Sequence, residues 1–153
     1  MFSVEVRELP AMTVHGLPHL GPYTAIGPTF RKLGLRLEAA GLVDRAWPWV
    51  GVYHDDPARV AARELRSHAC CVLPDGAAVP WGFECVKLAG GRCAVLRYRG
   101  PYSGLAAAWG WLFGDWLPGH KAMPRGPTFE IYRSMFPTVA AEEQVTEICV
   151  PLV

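Results

Sequence analysis

One carboxylate interrupts an otherwise apolar, β-prone run in Pro127-Thr128-Phe129-Glu130-Ile131-Tyr132. Strand alternation puts Thr128, Glu130 and Tyr132 on one face and Phe129 and Ile131 on the other. If Phe129 and Ile131 meet the helices, Glu130 faces water or a cleft. On a wet face it does no chemistry. In a cleft walled by aromatic groups, an ionised carboxylate persists only beside a cation or several hydrogen bonds. Such a site suits lipophilic cations or polar aromatic molecules, to which Tyr98, Tyr132 and Trp109 offer ring faces and phenolic hydroxyls.

Other reactive residue types are weaker candidates. His54-Asp55-Asp56-Pro57 brings two carboxylates and one imidazole together, but Asp before Pro is first a turn signal, and three groups are few for a metal. Five cysteines are an odd number with no Cys-x-x-Cys pair, which argues against a zinc site or a disulfide framework. They read as buried, reduced thiols. No metal and no cofactor is expected.

Composition narrows the partners. Fifteen Lys and Arg against fourteen Asp and Glu give a net charge of +1, without the basic excess that nucleic-acid binding demands. The chain has 153 residues, 51% of them hydrophobic, enough for one well-cored domain. The start lacks the apolar core of a signal peptide, and residues 105–117 are too short and too interrupted to cross a membrane. A cytoplasmic, soluble protein is expected.

The elements that must position Glu130 show a repeat. Gly21-Pro22-Tyr23 recurs as Gly100-Pro101-Tyr102, a shift of 79 residues (101 − 22). The same shift carries Val52-Tyr53 onto Ile131-Tyr132, and Cys70 and Leu73 onto Cys149 and Leu152. It also carries Ile26, Phe30, Leu33 and Leu37 onto Leu105, Trp109, Leu112 and Trp116. Both series run i, i+4, i+7, i+11 along one helical face. Trp116 therefore belongs to the buried line, while Trp111 lies off it.

Each half reads as a strand, a Gly-Pro-Tyr corner, a helix and two more strands, with Tyr23 and Tyr102 bracing the helix starts. Strands are expected at residues 12–17, 49–53 and 65–73, then at 92–98, 128–132 and 145–150. The helices end near Ala40, with Pro28 in the first turn and Gly41 as a stop, and near Leu117. Extra strands fall at 2–8 and 81–88, the latter pairing with 92–98 across Ala89-Gly90-Gly91. The result is a single α+β domain over 1–153. Pseudo-repeats at about 1–78 and 79–153 give an antiparallel sheet, two long helices and pseudo-twofold symmetry.

A pocket between the copies is the natural ligand site. The copies differ there: Gly51 corresponds to Glu130, and His68 to Glu147. The candidate ligand-binding set is Glu130, Tyr132, Trp109, Tyr98, Tyr53, Phe30, Trp111 and Glu147.

Three stretches together resemble the gyrase-inhibitor-like (GyrI-like) family: Trp49-Val50-Gly51-Val52-Tyr53-His54-Asp55-Asp56-Pro57, Leu88-Ala89-Gly90-Gly91-Arg92 and Phe129-Glu130-Ile131-Tyr132. Related modules form the effector-binding domains of AraC-type and multidrug-responsive regulators. The resemblance runs from about Val4 to Leu152. It implies tandem strand–helix–strand–strand units that bind amphipathic, often cationic compounds at the seam, with the family's acid falling on Glu130 and its helix tryptophan on Trp109.

Because the strand pattern starts at Phe2, the chain is expected to be a stand-alone module with no helix-turn-helix and no direct DNA contact. Sensing or sequestration of a small molecule is the leading expectation. The resemblance also implies two alternatives. One is a hydrolase that adds water to cyclopropane-bearing genotoxins, with Glu130 as general base, since a carboxylate among apolar groups is a stronger base once ionised. The other is an interaction with DNA gyrase through outer surfaces. Unpaired sheet edges and exposed aromatics also permit a homodimer.

Overall fold

β-Branched and aromatic runs become strands, and the i, i+4, i+7 lines become helices. The structure, a computed structural model, describes residues 2–134 and 138–153. In chain order it contains β1 (Val4–Leu9), β2 (Met12–Leu20), α1 (Gly27–Ala39), β3 (Trp49–Tyr53), β4 (Arg66–Cys71), β5 (Glu84–Leu88) and β6 (Gly91–Arg99). A helical segment follows, comprising α2 (Leu105–Trp111), a π-helical turn (Leu112–Trp116) and α3 (Leu117–Gly119), and then β7 (Thr128–Tyr132) and β8 (Val145–Pro151). The fold is α+β with antiparallel strands, as the repeat implies. Among the described residues no helix is long and apolar enough to cross a membrane.

The chain divides into two compact units. In the unit Ala11–Ala89 the strands run β3-β4-β2-β5, all antiparallel. Helix α1 starts with Pro28 in its first turn, where the missing N–H has no intrahelical partner to lose. It presses the fully buried Leu33 and Leu37 against Leu17, Leu42, Ala46 and Cys71. Gly41, at φ 71°, then closes the helix: its N–H donates to Glu38 O and that of Leu42 to Leu37 O.

The second unit holds the chain up to Pro10 together with Gly90–Val153, and its strands run β1-β6-β8-β7. Its core is Ala94, Leu96, Ala108, Leu112, Leu117, Ile148, Val150 and Leu152. The hairpin expected between β5 and β6 does not form. β6 is paired on both edges by β1 and β8, and β5 lies along β2 instead, with Met12 opposite Leu88.

The helical face also departs from expectation. The five-residue π turn adds a residue to the helix, so Leu117, 3% exposed, takes the core place that the constant shift assigned to Trp116. Trp116 is left half-buried, stacked on His120 with ring centroids 4.2 Å apart.

Candidate functional site

The acid is positioned by strand pairing. Within β7, Glu130 lies opposite Ile148 of β8, and Tyr132 lies opposite Thr146. Residues directly opposite share a face, and Ile148 belongs to the core beneath the helical segment. Glu130 and Tyr132 therefore point toward the helix, whereas Phe129 and Ile131 lie with Cys149 and Glu147 on the reverse face. Of the two orientations that strand alternation allows, this is the one with Glu130 on the helix side. The reason is that the helix carries a polar partner: Trp109 of α2 donates its indole N–H to Glu130 Oε2 at 2.5 Å.

The other oxygen accepts the phenolic proton of Tyr132 at 2.7 Å. Glu130 is only 4% exposed. Around it, Tyr102 meets Tyr132 edge-on at 5.8 Å, and Phe113 stacks on Trp109 at 5.8 Å. Burial raises the Tyr102 phenol above its usual range, and the Glu130 charge raises it further, so Tyr102 stays a neutral donor. Thr146 Oγ1, fully buried beside Tyr132, has no hydrogen-bond partner among the described residues. The arrangement is a desolvated carboxylate ringed by aromatic faces, with a spare hydroxyl at its edge.

The expected site residues fall into three groups. Glu130, Tyr132 and Trp109 come together. Tyr98 lies on the same face, across from Thr146, but its hydroxyl donates to Pro101 O at 2.7 Å and braces the Gly-Pro-Tyr corner, the role expected of Tyr102. Trp111 packs on Phe2 at 5.5 Å.

Glu147 sits on the reverse face, bound by Arg133 at 2.6 Å and Arg7 at 2.9 Å. Burial pushes its carboxyl up, but the hydrogen bonds and charges of Arg133 and Arg7 outweigh that and hold it below the ordinary range.

Phe30 and Tyr53 belong to the other unit. Phe30 stacks on Trp49 and Tyr53 meets Tyr23, with Gly51 where the second unit has Glu130. The Tyr23 hydroxyl braces its corner as expected, accepting from Asp55 N–H and sharing its one proton between Asp55 O and Arg66 O. Asp55 itself is taken up by Arg66 at 2.8 Å. Ser67, in the place of Thr146, has an equally buried hydroxyl with no hydrogen-bond partner among the described residues.

Phe113, Tyr102 and Thr146 lie around Glu130 but outside the expected set. Phe113 was findable, since it stands four residues after Trp109 on the same helical face. Thr146 carried no signal beyond its strand.

The thiols take no part. All five cysteines are free, and four are buried. Burial pushes Cys71 up to about 12 and raises Cys70 and Cys149 further, so they remain protonated.

A family model described as the GyrI-like small molecule binding domain matches residues 2–153. The chain belongs to the GyrI-like family. It is similar to a DNA gyrase inhibitor of Edwardsiella piscicida, with 32% identity over 98% of this chain and 97% of the relative. Among solved structures it resembles the C-terminal domain of EcmrR, at TM-score 0.75 and 18% identity, covering 100% of this chain and 98% of that one. In the EcmrR–DNA complex the same likeness spans 57% of the longer EcmrR chain. SAV2435 bound to tetraphenylphosphonium matches at TM-score 0.70 and 16% identity, covering 99% of this chain and 94% of that one. At these identities the structural matches establish a GyrI-like fold. The aromatic ring around Glu130 is the local feature of this GyrI-like chain that bears on a ligand.

Proposed function

We propose that this GyrI-like small-molecule-binding domain holds amphipathic, cationic or polar aromatic compounds against Glu130, for sensing or sequestration in the cytoplasm. The observation that carries this reading is the 4%-exposed carboxylate among Trp109, Tyr132, Tyr102 and Phe113. An anion taken out of water attracts a cation that is itself weakly hydrated, and aromatic faces add to that attraction. Thr146 Oγ1 offers a further polar contact. The tetraphenylphosphonium bound by SAV2435 is such a cation, carried by a protein of the same fold.

The test is titration calorimetry with tetraphenylphosphonium on wild type and Glu130→Gln, with mass analysis of each mixture. Removal of the charge at nearly unchanged side-chain shape should weaken binding at least about tenfold, or about 1.4 kcal/mol. Equal affinity in the two proteins would overturn the reading. A ligand mass increased by one water, with a cyclopropane-bearing alkylator as substrate, would make the site hydrolytic instead. Donors already directed at both oxygens favour an anchored anion over a base that must take up a proton.

The name borne by the Edwardsiella relative supports a second reading, inhibition of DNA gyrase. Inhibition of supercoiling retained by Glu130→Gln would place that activity on a surface away from this site.

A further inference from the structure

The π turn, the helix end after it, strands β1 and β6 and the two residues after β8 frame a hollow of about 290 Å3, lined among others by Val6, Arg92, Trp116, His120, Lys121 and Leu152. We propose that this hollow binds a small organic anion with a flat apolar body, such as an aromatic carboxylate or sulfonate. Lys121 and Arg92 would take the charge, and Trp116 the ring.

Two departures from regular structure create this place. The first is the π turn, which turns Trp116 off the core line and into the wall of the hollow; such turns concentrate at functional positions. His120 stacks on the indole at 4.2 Å and donates Nδ1–H to Trp116 O at 2.9 Å, so ring and backbone are both held.

The second is the conformation of Lys121, at φ 50° the one described non-glycine residue with positive φ. It closes the helix as Gly41 does in the other unit: Lys121 N–H donates to Pro118 O and Ala122 N–H to Leu117 O, matching Gly41 to Glu38 and Leu42 to Leu37. Glycine adopts that conformation freely, whereas a side chain strains it. A lysine there puts a cation on the rim at the expense of an easier helix end, and strain of this kind clusters at functional sites.

Among the described residues no acidic side chain lines the hollow. Glu8, opposite Arg92 in the strand register, lies outside the lining. Apolar surface comes from buried Leu152 and from Val6 and Met123, 45% and 66% exposed. The frame is fastened: Val153 N–H donates to Met123 O at 2.9 Å, and Arg125 uses its N–H on Pro151 O and its Nε–H on Leu152 O, both at 2.8 Å. Ligand pockets begin at about 300 Å3, so the occupant is a single or fused ring. None of the lining residues belongs to the Glu130 cluster, and the charge preference is the opposite one.

Calorimetric titration with 2-naphthoate, beside the neutral 2-naphthamide, tests the inference. The acid should bind saturably and the amide at least about tenfold more weakly. Lys121→Gly should raise Tm by about 2–4 °C, as strain is relieved, yet weaken naphthoate binding at least about tenfold. Arg92→Ala should weaken it as well, while Glu130→Gln leaves it unchanged. Equal binding of acid and amide, absence of saturable binding, or a Lys121→Gly protein that is more stable with undiminished affinity would each overturn the proposal.

Discussion

Tyr132 donates its phenolic proton, at 2.7 Å, to a carboxylate two residues earlier on its own strand, that of Glu130. Both side chains are buried, so this bond holds a charge that water does not reach. Tyr132→Phe removes a donor from a desolvated anion and should lower unfolding stability by about 1.5–3 kcal/mol. Glu130→Gln keeps an acceptor for the phenol but turns an amide NH2 toward the Trp109 indole N–H, leaving two buried donors face to face, and should lower it by at least as much. Urea unfolding of the two variants gives the comparison, and a Glu130→Gln midpoint near that of the wild type would contradict two donors held by the two oxygens.

Glu147 supplies an acid-side test. Its carboxyl is held below the ordinary range in the folded chain, so the stabilisation is full above about pH 4.3, the unfolded value, and is lost as pH falls through the lowered one. Glu147→Gln should flatten that loss in urea midpoints taken across the acid range. Glu147→Ala at neutral pH leaves Arg7 and Arg133 without their shared partner. It should be destabilising by about 2–3 kcal/mol, below the figure for a fully buried pair because both guanidinium groups reach solvent.

His54 predicts a second, separate pH window. Burial lowers it most, followed by the neighbouring His68, 2.7 Å from its Nε2, and Arg66; Asp55 opposes them, and Glu84 holds the far side of His68. A histidine lowered on folding takes up its proton more readily when unfolded. Stability is therefore full above about pH 6.5 and falls as pH drops below it. His54→Gln should flatten the slope just below about pH 6.5; an unchanged slope there would contradict this account.

Gly16 is fixed by close approach. A Cβ at this position would run into the carbonyl oxygen of Ala69 and the Cα of Cys70 on β4, which are backbone atoms that cannot swing aside. Gly16→Ala should lower stability by about 3 kcal/mol or more, beyond the 1–3 kcal/mol of ordinary overpacking. A urea midpoint near that of the wild type would show that β2 and β4 can separate.

Much of the fold was legible because duplication writes each pattern twice. The strands β3 and β7 fall where the sequence put them, and Leu33 and Leu112 occupy matching buried places. Glu130 was legible as an anomaly in an apolar run, and Trp109 and Tyr132 through the repeat and the family likeness. The face of Glu130 was not, because alternation fixes which residues share a side without saying which side meets a helix. The partner of β5 was hidden as well: a Gly-Gly turn suggests a neighbour, but β6 was already paired along both edges. The displaced Trp116 was invisible for a similar reason, since periodicity assumes a uniform helix and a π turn is a local exception.

That exception also sets how far the two halves remain interchangeable parts. Leu33 maps to Leu112 at 79 residues, but Leu37, Gly41 and Leu42 map to Leu117, Lys121 and Ala122 at 80 (117 − 37), and Tyr53 returns to Tyr132 at 79 (132 − 53). The second helix has gained a residue and the connection after it has given one up. A difference such as Gly51 against Glu130 can be undone by one substitution. A difference in length can be undone only by a deletion and an insertion made together, with every intermediate out of register. A helix grafted from one half into the other at constant spacing would therefore bring the wrong residue to the core and the wrong one to the turn, so each copy is now committed to its own unit.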